Sequence, residues 1–362
     1  MQTSLLLVLL LSVFILTKES SALHQQEPQH TGEAAFESER ANAERFITHA
    51  RLNISWSTLK RDVLSLDSPS NAMFIHATIG IFKKRRGKSG TWGHGTEILV
   101  EMLQEVEVSN ALAWFRKIYI GTLGSKTDVA SAQATIMSRF ASPKWNGKLE
   151  FIVSGEKLEL NEFPTLMMMQ LYANLIPESF AADSHLLYTH TKGVRQNGDW
   201  SSDWRRYMMH MLLRHYTDLC RPALSNGGYL TCGALKTPTL KGPIYAGNFW
   251  WTKGSYLQMR GDRIRELAST MTNRYVAENY LLQHVNSTVS RERHYCIHHT
   301  HHDMQNCPTP PHMYFNASKA LKMRSHGDCY SRELRPKNQS KYDRTSWCHT
   351  VLPDIDYKPN LQ

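Results

Sequence analysis

Short apolar runs alternate with amphipathic segments between about residue 70 and residue 284. The runs have the length and the β-branched and aromatic content of buried strands, and the segments carry apolar residues at helical spacing. The predicted strands are residues 73–80, 117–121, 149–153 and 186–189, and the predicted helices are residues 96–106, 127–142, 161–176 and 201–219. Because this alternation is typical of a mostly parallel sheet with helices on both faces, it predicts an α/β fold.

The fourth predicted strand, Leu186–Thr189, is followed directly by His190, Thr191, Lys192 and Gly193. Ligands of open α/β sheets bind outside the carboxyl ends of the strands, so these polar side chains lie where a site is expected. The same residues are also compatible with a strand that simply leaves the core and enters a turn. On this segment alone, both interpretations stand.

A second unusual segment is Gly247-Asn248-Phe249-Trp250-Trp251. Side chains alternate between the two faces of a strand, so only one of the adjacent tryptophans can point into a given core. The other must meet a second layer, a ligand or solvent. Further along, the pattern predicts a helix over residues 261–284, with Arg274 and Glu278 projecting from the same side.

The N-terminal segment predicts entry into the secretory pathway. Residues 5–16 form an apolar run that is too short to cross a bilayer comfortably, and Ser20-Ser21-Ala22 supplies small residues for cleavage. Residues 1–22 are therefore interpreted as a signal peptide, with a type II signal anchor as the alternative. The predicted location is secreted or in the lumen of the endoplasmic reticulum or Golgi, with membrane attachment only if the leader is uncleaved. The sequons that agree with this compartment are Asn53, Asn286, Asn316 and Asn338.

All the cysteines lie in the C-terminal half of the chain. They are Cys220, Cys232, Cys296, Cys307, Cys329 and Cys348. An even number of cysteines in a secreted chain indicates disulfides. We expect Cys220 to pair with Cys232 across a short connection, and the last four cysteines to pair among themselves.

The chain is basic, with 42 Lys and Arg against 32 Asp and Glu and a formal net charge of +10. Such a surface favours anionic partners such as nucleotide diphosphates, acidic glycans or membrane headgroups, although the charge can also serve solubility alone. The predicted leader argues against nucleic acid as a partner. Five cations between Lys83 and Lys88 follow the first predicted strand, and they fit either a diphosphate-binding loop or a solvated loop.

Composition divides the chain into a leader at 1–22, a stem with leading helices at 23–66, an α/β domain at 67–285 and a Cys- and His-rich extension at 286–362. The extension contains His294, Cys296 and further histidines up to His302. These residue types can bind zinc, but their spacing matches no zinc module, and cysteines in an oxidising lumen favour disulfides.

Three motifs follow one another along the chain: Tyr188-Thr189-His190-Thr191-Lys192-Gly193, then Gly247-Asn248-Phe249-Trp250-Trp251, then Arg274-Tyr275 with Glu278. Trp204 lies in the predicted helix between the first two. In this order the motifs resemble those of glycosyltransferase-like proteins with a GT-A-type domain, which are related to the rhamnan-synthesis glycosyltransferases. The resemblance spans residues 70–284 and implies a GT-A-like, mostly parallel central sheet flanked by helices. The cysteines add an irregular, disulfide-stapled C-terminal extension to this picture.

The resemblance implies transfer of a sugar from a nucleotide-sugar donor to a hydroxyl of a glycan or glycoprotein acceptor. Negative charge develops on the leaving diphosphate, and Lys192 and His190 at the strand end can offset it. Glu278 is the candidate base for the acceptor proton, and its alternative role is an ion pair with Arg274 on a helix surface. The expected substrate-binding residues are His190, Thr191, Asn248, Trp250, Trp251 and Arg274.

Many GT-A enzymes hold a divalent metal through an Asp-x-Asp motif, and in this chain His190-Thr191-Lys192 takes the corresponding position. The string Asp354-Ile355-Asp356 in the tail is far from any predicted strand end. Three alternatives remain: metal-free catalysis by the lysine, a metal site built from Asp199, Asp203 and His190, or an inactive domain. No cofactor is therefore assigned. The competing function is a catalytically inactive secreted sugar-binding or structural protein with the same fold.

Overall fold

The apolar runs predicted as strands lie side by side in one mixed sheet at the centre of the fold. The structure, a computed structural model, describes residues 41, 44, 51–80, 82–83, 91–92, 94–191, 199–234, 236–239, 242–245, 247–260, 274–282 and 294–297. The strands are β1 (Asn53–Ile54), β2 (Asn71–Thr78), β3 (Phe82–Lys83), β4 (Thr91–Trp92), β5 (Phe115–Leu123), β6 (Leu149–Gly155), β7 (His185–His190), β8 (Thr231–Gly233), β9 (Lys236–Thr239), β10 (Gly242–Tyr245), β11 (Trp250–Lys253) and β12 (His294–Cys296).

Helices alternate with these strands along the chain. They are α1 (Trp56–Leu64), α2 (Gly95–Val108), α3 (Lys126–Arg139), α4 (Phe163–Leu175), α5 (Glu178–Ala181), α6 (Asp199–Arg214), α7 (Arg221–Ser225), α8 (Gly254–Gln258) and α9 (Arg274–Asn279). Short 3-10 turns cover Ala111–Trp114, Pro143–Trp145 and Leu158–Leu160, and a π-helical turn covers Tyr216–Cys220.

The central sheet has the strand order β1-β6-β5-β2-β7-β11-β8-β12 within the described ranges. Strands β6, β5, β2 and β7 are parallel to one another, and β12 is parallel to β8. Strand β11 is antiparallel to both β7 and β8, and β1 is antiparallel to β6. The predicted α/β fold, a large central sheet flanked by helices, is confirmed. Two small antiparallel pairs, β3 with β4 and β9 with β10, lie outside this sheet.

Each face of the sheet has its own apolar core. In β2, Met73 and Ile75 point into the core that contains residues of α2, α3 and α6. Ala72 and Phe74, on alternate positions, point into the core that contains residues of α1, α4 and α8. This alternation is the period of two that a strand imposes, and because both faces are covered, every residue of β2 after Asn71 is buried.

Helix α4 is buried on all sides, with Asn174 as its one partly exposed residue. It packs between the sheet and the helices α1 and α8, so it has no face that needs polar residues. Its methionine-rich sequence therefore reflects core packing. The helix runs so that its first residues lie near the carboxyl ends of β2 and β7, because Thr165 contacts His76 there.

The disulfide predicted between Cys220 and Cys232 is present, with the two Cα atoms 5.5 Å apart. It joins the π-helical turn to β8. Cys296 in β12 is also disulfide-bonded. The other three cysteines, Cys307, Cys329 and Cys348, lie outside the described residues.

The sheet extends beyond the predicted domain limits of 67 and 285. Strand β1 comes from the segment predicted as a stem, and β12 comes from the segment predicted as an extension. Asn53 is exposed on β1, at the edge of the sheet, whereas Asn286, Asn316 and Asn338 lie outside the described residues. In the part of the chain that is described, no helix has the length and apolar character needed to cross a membrane.

Removing the Cys220–Cys232 disulfide is expected to lower the free energy of unfolding by about 3 kcal/mol, because the crosslink restricts the unfolded chain between residues 12 apart in sequence. Urea unfolding of the C220A/C232A variant and of the wild type, both without reductant, measures this difference. The C220S/C232S variant controls for the loss of side-chain volume at the two positions. An unchanged midpoint in both variants would contradict a stabilising role.

Candidate functional site

Two histidines stand side by side where the parallel strands β2 and β7 end. His76 and His190 are register partners, and both lie on the sheet face that α4 covers. His76 is buried, whereas the His190 side chain keeps 15% of its surface exposed. This edge of the sheet is the position at which open α/β sheets bind ligands.

A carboxylate, Glu162, lies at the centre of the polar groups around His190. It immediately precedes α4, where the positive end of the helix dipole favours a negative charge. Its Oε2 accepts a hydrogen bond from the Tyr188 hydroxyl at 3.0 Å and another from Asn248 Nδ2. Its Oε1 lies 3.6 Å from His190 Nδ1. Burial and the adjacent carboxylate raise the pKa of the Tyr188 hydroxyl well above its usual value, so this hydroxyl remains a donor.

His190 faces hydrogen-bond acceptors through both ring nitrogens. Its Nε2 lies 2.8 Å from the carbonyl oxygen of Gly247, which can only accept, so Nε2 carries a hydrogen. Its Nδ1 faces the Glu162 carboxylate. The imidazolium form, which has a hydrogen on both nitrogens, satisfies the two acceptors together. Phe249 holds the ring by an edge contact, with the centroids 5.3 Å apart.

The turn before β11 explains the residue types of the Gly-Asn pair. Gly247 and Asn248 have φ values of 88° and 57°, in the left-handed region that Gly and Asn tolerate best. A side chain at position 247 would also collide with Met208 on α6. Asn248 Oδ1 accepts a hydrogen bond from Trp250 Nε1 at 2.8 Å, while Nδ2 reaches Glu162 and the carbonyl of Ala277. Asn248 therefore positions Glu162, and its amide groups already have protein partners.

Trp250 and Trp251 are both core residues, which corrects the expectation that one of them offers a flat face to a sugar. They are 1% and 0% exposed, and they point into opposite faces of the sheet. Trp250 stacks on Tyr188 with centroids 5.1 Å apart, and Trp251 packs between Phe115 and Tyr216. Because both faces of the sheet are covered, the second tryptophan meets a second protein layer.

Thr191 is also engaged within the protein. Its backbone N–H donates to the carbonyl of His76 at 2.9 Å, and its hydroxyl accepts from the Thr78 N–H at 3.0 Å. His76 Nδ1 in turn lies 3.0 Å from the Thr165 hydroxyl at the start of α4. The expected substrate contact of Thr191 is therefore corrected, because its hydroxyl holds the ends of β2 and β7 together.

The remaining predicted site residues are only partly placed. Glu278 is half-buried on α9, next to Ala277, whose carbonyl lies 3.4 Å from Asn248 Nδ2. Arg274 is the first residue of α9, and Asp199 and Asp203 lie on α6, but the side chains of all three are outside what is described. Lys192 lies outside the described residues, so its role stays a prediction.

No group of three or more His, Cys, Asp or Glu side chains is arranged to hold a metal ion in the described segments. Within the histidine-rich segment, His294 is described. It is buried in β12, with its Nδ1 2.7 Å from the Thr231 hydroxyl. This histidine is therefore part of the sheet packing.

Sequence reasoning did not assign a functional role to Glu162 or His76. The signal for Glu162 was present in the helix start Asn161-Glu162-Phe163-Pro164, which lies between the third and fourth predicted strands. A helix that follows a parallel strand begins near the carboxyl edge of the sheet, because the strand ends there. The short connection from β6 through the 3-10 turn Leu158–Leu160 keeps the start of α4 at this edge. Sequence position therefore places Glu162 near the end of the next strand, and only the strand order and side-chain directions show that it faces His190.

Comparison with known proteins assigns the chain to one family. The family model described as Domain of unknown function (DUF8361) matches residues 81–350, about three quarters of the chain, so the protein belongs to this family. The search of curated proteins finds no match. A match among solved structures is the crystal structure of 4-diphosphocytidyl-2C-methyl-D-erythritol synthase. It is 12% identical, covers 58% of this chain and 87% of that chain, and has a TM-score of 0.27, so it carries no argument about activity.

Replacing Asn248 tests the hydrogen bonds around Glu162 separately from the backbone conformation. Asn248→Gly keeps the left-handed turn but removes one of the donors to Glu162 and leaves Trp250 Nε1 without its buried acceptor, so we expect a loss of about 2 kcal/mol in the free energy of unfolding. Asn248→Ala adds the strain of a Cβ in this conformation and is expected to cost about 1 kcal/mol more.

Thermal and urea unfolding of the two variants measure these differences. The exposed Asn226, which has an ordinary backbone conformation, provides the control Asn226→Gly, for which we expect a change of about 0.5 kcal/mol or less. If Asn248→Gly were as stable as this control, the hydrogen bonds of Asn248 would not hold Glu162 in place.

Proposed function

We propose that this member of the DUF8361 family is a GT-A-like glycosyltransferase of the secretory pathway, which moves a sugar from a nucleotide-sugar donor to a hydroxyl of a glycan or glycoprotein. The observation that supports this function is the contact of His190 with the buried carboxylate Glu162 at the carboxyl edge of the sheet. The order of the three sequence motifs supports the same reaction class.

In this proposal, His190 and Lys192 act on the diphosphate that leaves with the nucleotide. Glu162 keeps His190 oriented, because its carboxylate faces Nδ1 of the ring at 3.6 Å. The pair carries no net positive charge, so the net positive charge for the diphosphate comes from Lys192. A site that is preorganised in this way stabilises charge in the transition state without reorganising water.

The acceptor proton is assigned to Glu278. Glu162 already accepts hydrogen bonds from Tyr188 and Asn248 and faces His190, so it holds other groups in place. Glu278 is half-buried on a helix that contacts Asn248 through Ala277, and a partly exposed carboxylate can reach a hydroxyl substrate. The alternative means of offsetting the diphosphate charge, a divalent metal held by Asp199, Asp203 and His190, would require His190 to give up its contact with Gly247 or with Glu162.

A second function, a secreted sugar-binding or structural protein without transferase activity, has one observation in its favour. Four residues expected to bind substrate, Thr191, Asn248, Trp250 and Trp251, are buried and bonded within the protein. A domain that kept its fold but lost its catalytic activity would retain these residues, because they stabilise the fold. Calorimetry with nucleoside diphosphates separates the two functions, because tight binding excludes the second.

The glycosyltransferase proposal predicts donor turnover that depends on Glu162. Glu162→Gln keeps the size of the side chain but removes its charge, so His190 loses its anionic partner. We expect the rate of sugar transfer to fall about 100-fold while the fold is retained. Donor hydrolysis and transfer are measured over a panel of nucleotide sugars, with and without a metal chelator.

The matched control is Glu150→Gln, which removes a carboxylate paired with Lys117 near the amino ends of the parallel strands, whereas His190 is the last residue of β7. We expect this control to keep wild-type activity. Absence of hydrolysis and transfer with every donor would contradict the proposed function. Equal activities of the two glutamine variants would remove Glu162 from the mechanism.

The proposed function also predicts that Lys192 contributes to nucleotide binding. Lys192→Ala is expected to weaken the binding of a nucleoside diphosphate about tenfold, because a charge-assisted hydrogen bond to a phosphate oxygen is lost. Calorimetry measures the affinity, and Lys126→Ala, at an exposed lysine on α3, is the matched control. An affinity that is unchanged in Lys192→Ala would assign the diphosphate contact to other cations.

A further inference from the structure

An open cavity of about 620 Å³ lies at the amino edge of the parallel strands. Its lining comes from the residues before β2, the start of β5, the start of β7 and the segment after α6. His185 begins β7 and His190 ends it, so the two edges are about 16 Å apart along this strand. The cavity is therefore separate from the carboxyl-edge site around His190, and a ligand bound in it does not depend on the proposed function.

Positive charge predominates around the cavity. Arg116, Lys148 and Arg221 line it, against one lining carboxylate, Asp183. Asp67, which is 3.9 Å from Arg116 and almost fully exposed, offsets part of this charge. An excess of cations around a concave surface attracts anions.

The lysine of the cavity lacks a carboxylate partner in the described part of the chain. Lys148 Nζ donates to the backbone carbonyl of Phe115 at 2.6 Å, which holds the ammonium at the wall. Burial lowers the pKa of Lys148, and the nearby Lys117 and Arg116 lower it further. An anion in the cavity would relieve this repulsion, because it would supply the missing opposite charge.

His185, Asn71 and Tyr216 are hydrogen-bonded to one another on the wall of the same cavity. The backbone N–H of His185 donates to Asn71 Oδ1, which fixes the Asn71 amide so that Nδ2 donates to the Tyr216 hydroxyl at 3.0 Å. The Tyr216 hydroxyl donates its own hydrogen to His185 Nδ1, 2.8 Å away. Because Nδ1 then acts as an acceptor, the hydrogen of the neutral imidazole is assigned to Nε2. Among the described residues, Nε2 has no hydrogen-bond partner, although His185 is 2% exposed.

We propose that this cavity is a binding site for a sugar that carries a phosphate or sulfate group. The three cations around the cavity match the anionic group, and Arg116 is held in position by Ser65, to which its guanidinium donates at 2.8 and 3.0 Å.

The remaining walls fit the sugar part of such a ligand. The exposed residues Thr217 and Ser225 provide hydroxyl groups that can bond sugar hydroxyls, and Trp114 provides an aromatic surface. The volume falls within the range of ordinary small-molecule sites, which is about 300–1,000 Å³. A bare inorganic ion would leave most of this space unfilled.

Calorimetry with glucose 6-phosphate, glucose 6-sulfate and glucose on the full chain tests this proposal. We expect saturable binding of the two anionic sugars and none of glucose. Arg221→Gln is expected to weaken glucose 6-phosphate binding about tenfold, because the exposed Arg221 contributes one charged contact. Ser225→Asp, which places a carboxylate on the lining, is expected to weaken it as well without removing a cation.

The matched control is Arg139→Gln, an exposed arginine at the end of α3 that is not part of the cavity lining, and we expect it to leave binding unchanged. Lys192→Ala and Glu162→Gln are also expected to leave this binding unchanged, which separates the cavity from the carboxyl edge. The proposal is overturned if glucose 6-phosphate gives no saturable heat. It is also overturned if the affinity is the same in Arg221→Gln, Ser225→Asp and Arg139→Gln.

Discussion

The carboxylate of Glu162, buried between α4 and the sheet, is the constraint on which the carboxyl edge depends. A buried charge is costly unless hydrogen bonds and an opposite charge satisfy it. Tyr188 from β7, Asn248 from the turn before β11 and His190 at the end of β7 provide these partners. Helix α4, the parallel part of the sheet and the antiparallel strand β11 are thereby fixed relative to one another at one point.

The same constraint accounts for the Gly-Asn-Phe-Trp-Trp segment. Strand β11 is antiparallel to β7 with Trp250 opposite Tyr188, so the turn before β11 comes back to the carboxyl edge. Asn248 then reaches Glu162 and Trp250 together, and Gly247 brings its carbonyl to His190. Asn248 and Trp250 therefore hold Glu162 and His190 in place through buried hydrogen bonds and packing. This role explains why they are buried, although their residue types are also common in sugar-binding sites.

The sequence predicted the features that depend on local patterns. The four parallel strands, most of the helices and the Cys220–Cys232 disulfide follow from apolar periodicity and from the short separation of two cysteines. The contact between Glu162 and Asn248 joins residues 86 apart, and the burial of both tryptophans requires knowing that helices cover both faces of β11. Strand β12 lies beyond the predicted boundary at 285 because three residues are too few to show a pattern.

The two edges of the sheet differ in how their charges are balanced, and this difference limits what each can bind. At the carboxyl edge, Glu162 and His190 together carry no net positive charge, so this pair alone does not hold a dianion. In the proposed function, affinity for a diphosphate must therefore come from other cations, such as Lys192 or those between Lys83 and Lys88. At the amino edge, the cations outnumber the carboxylates before any ligand arrives. A monoanionic or dianionic sugar is therefore the ligand that this second edge is electrostatically prepared to receive.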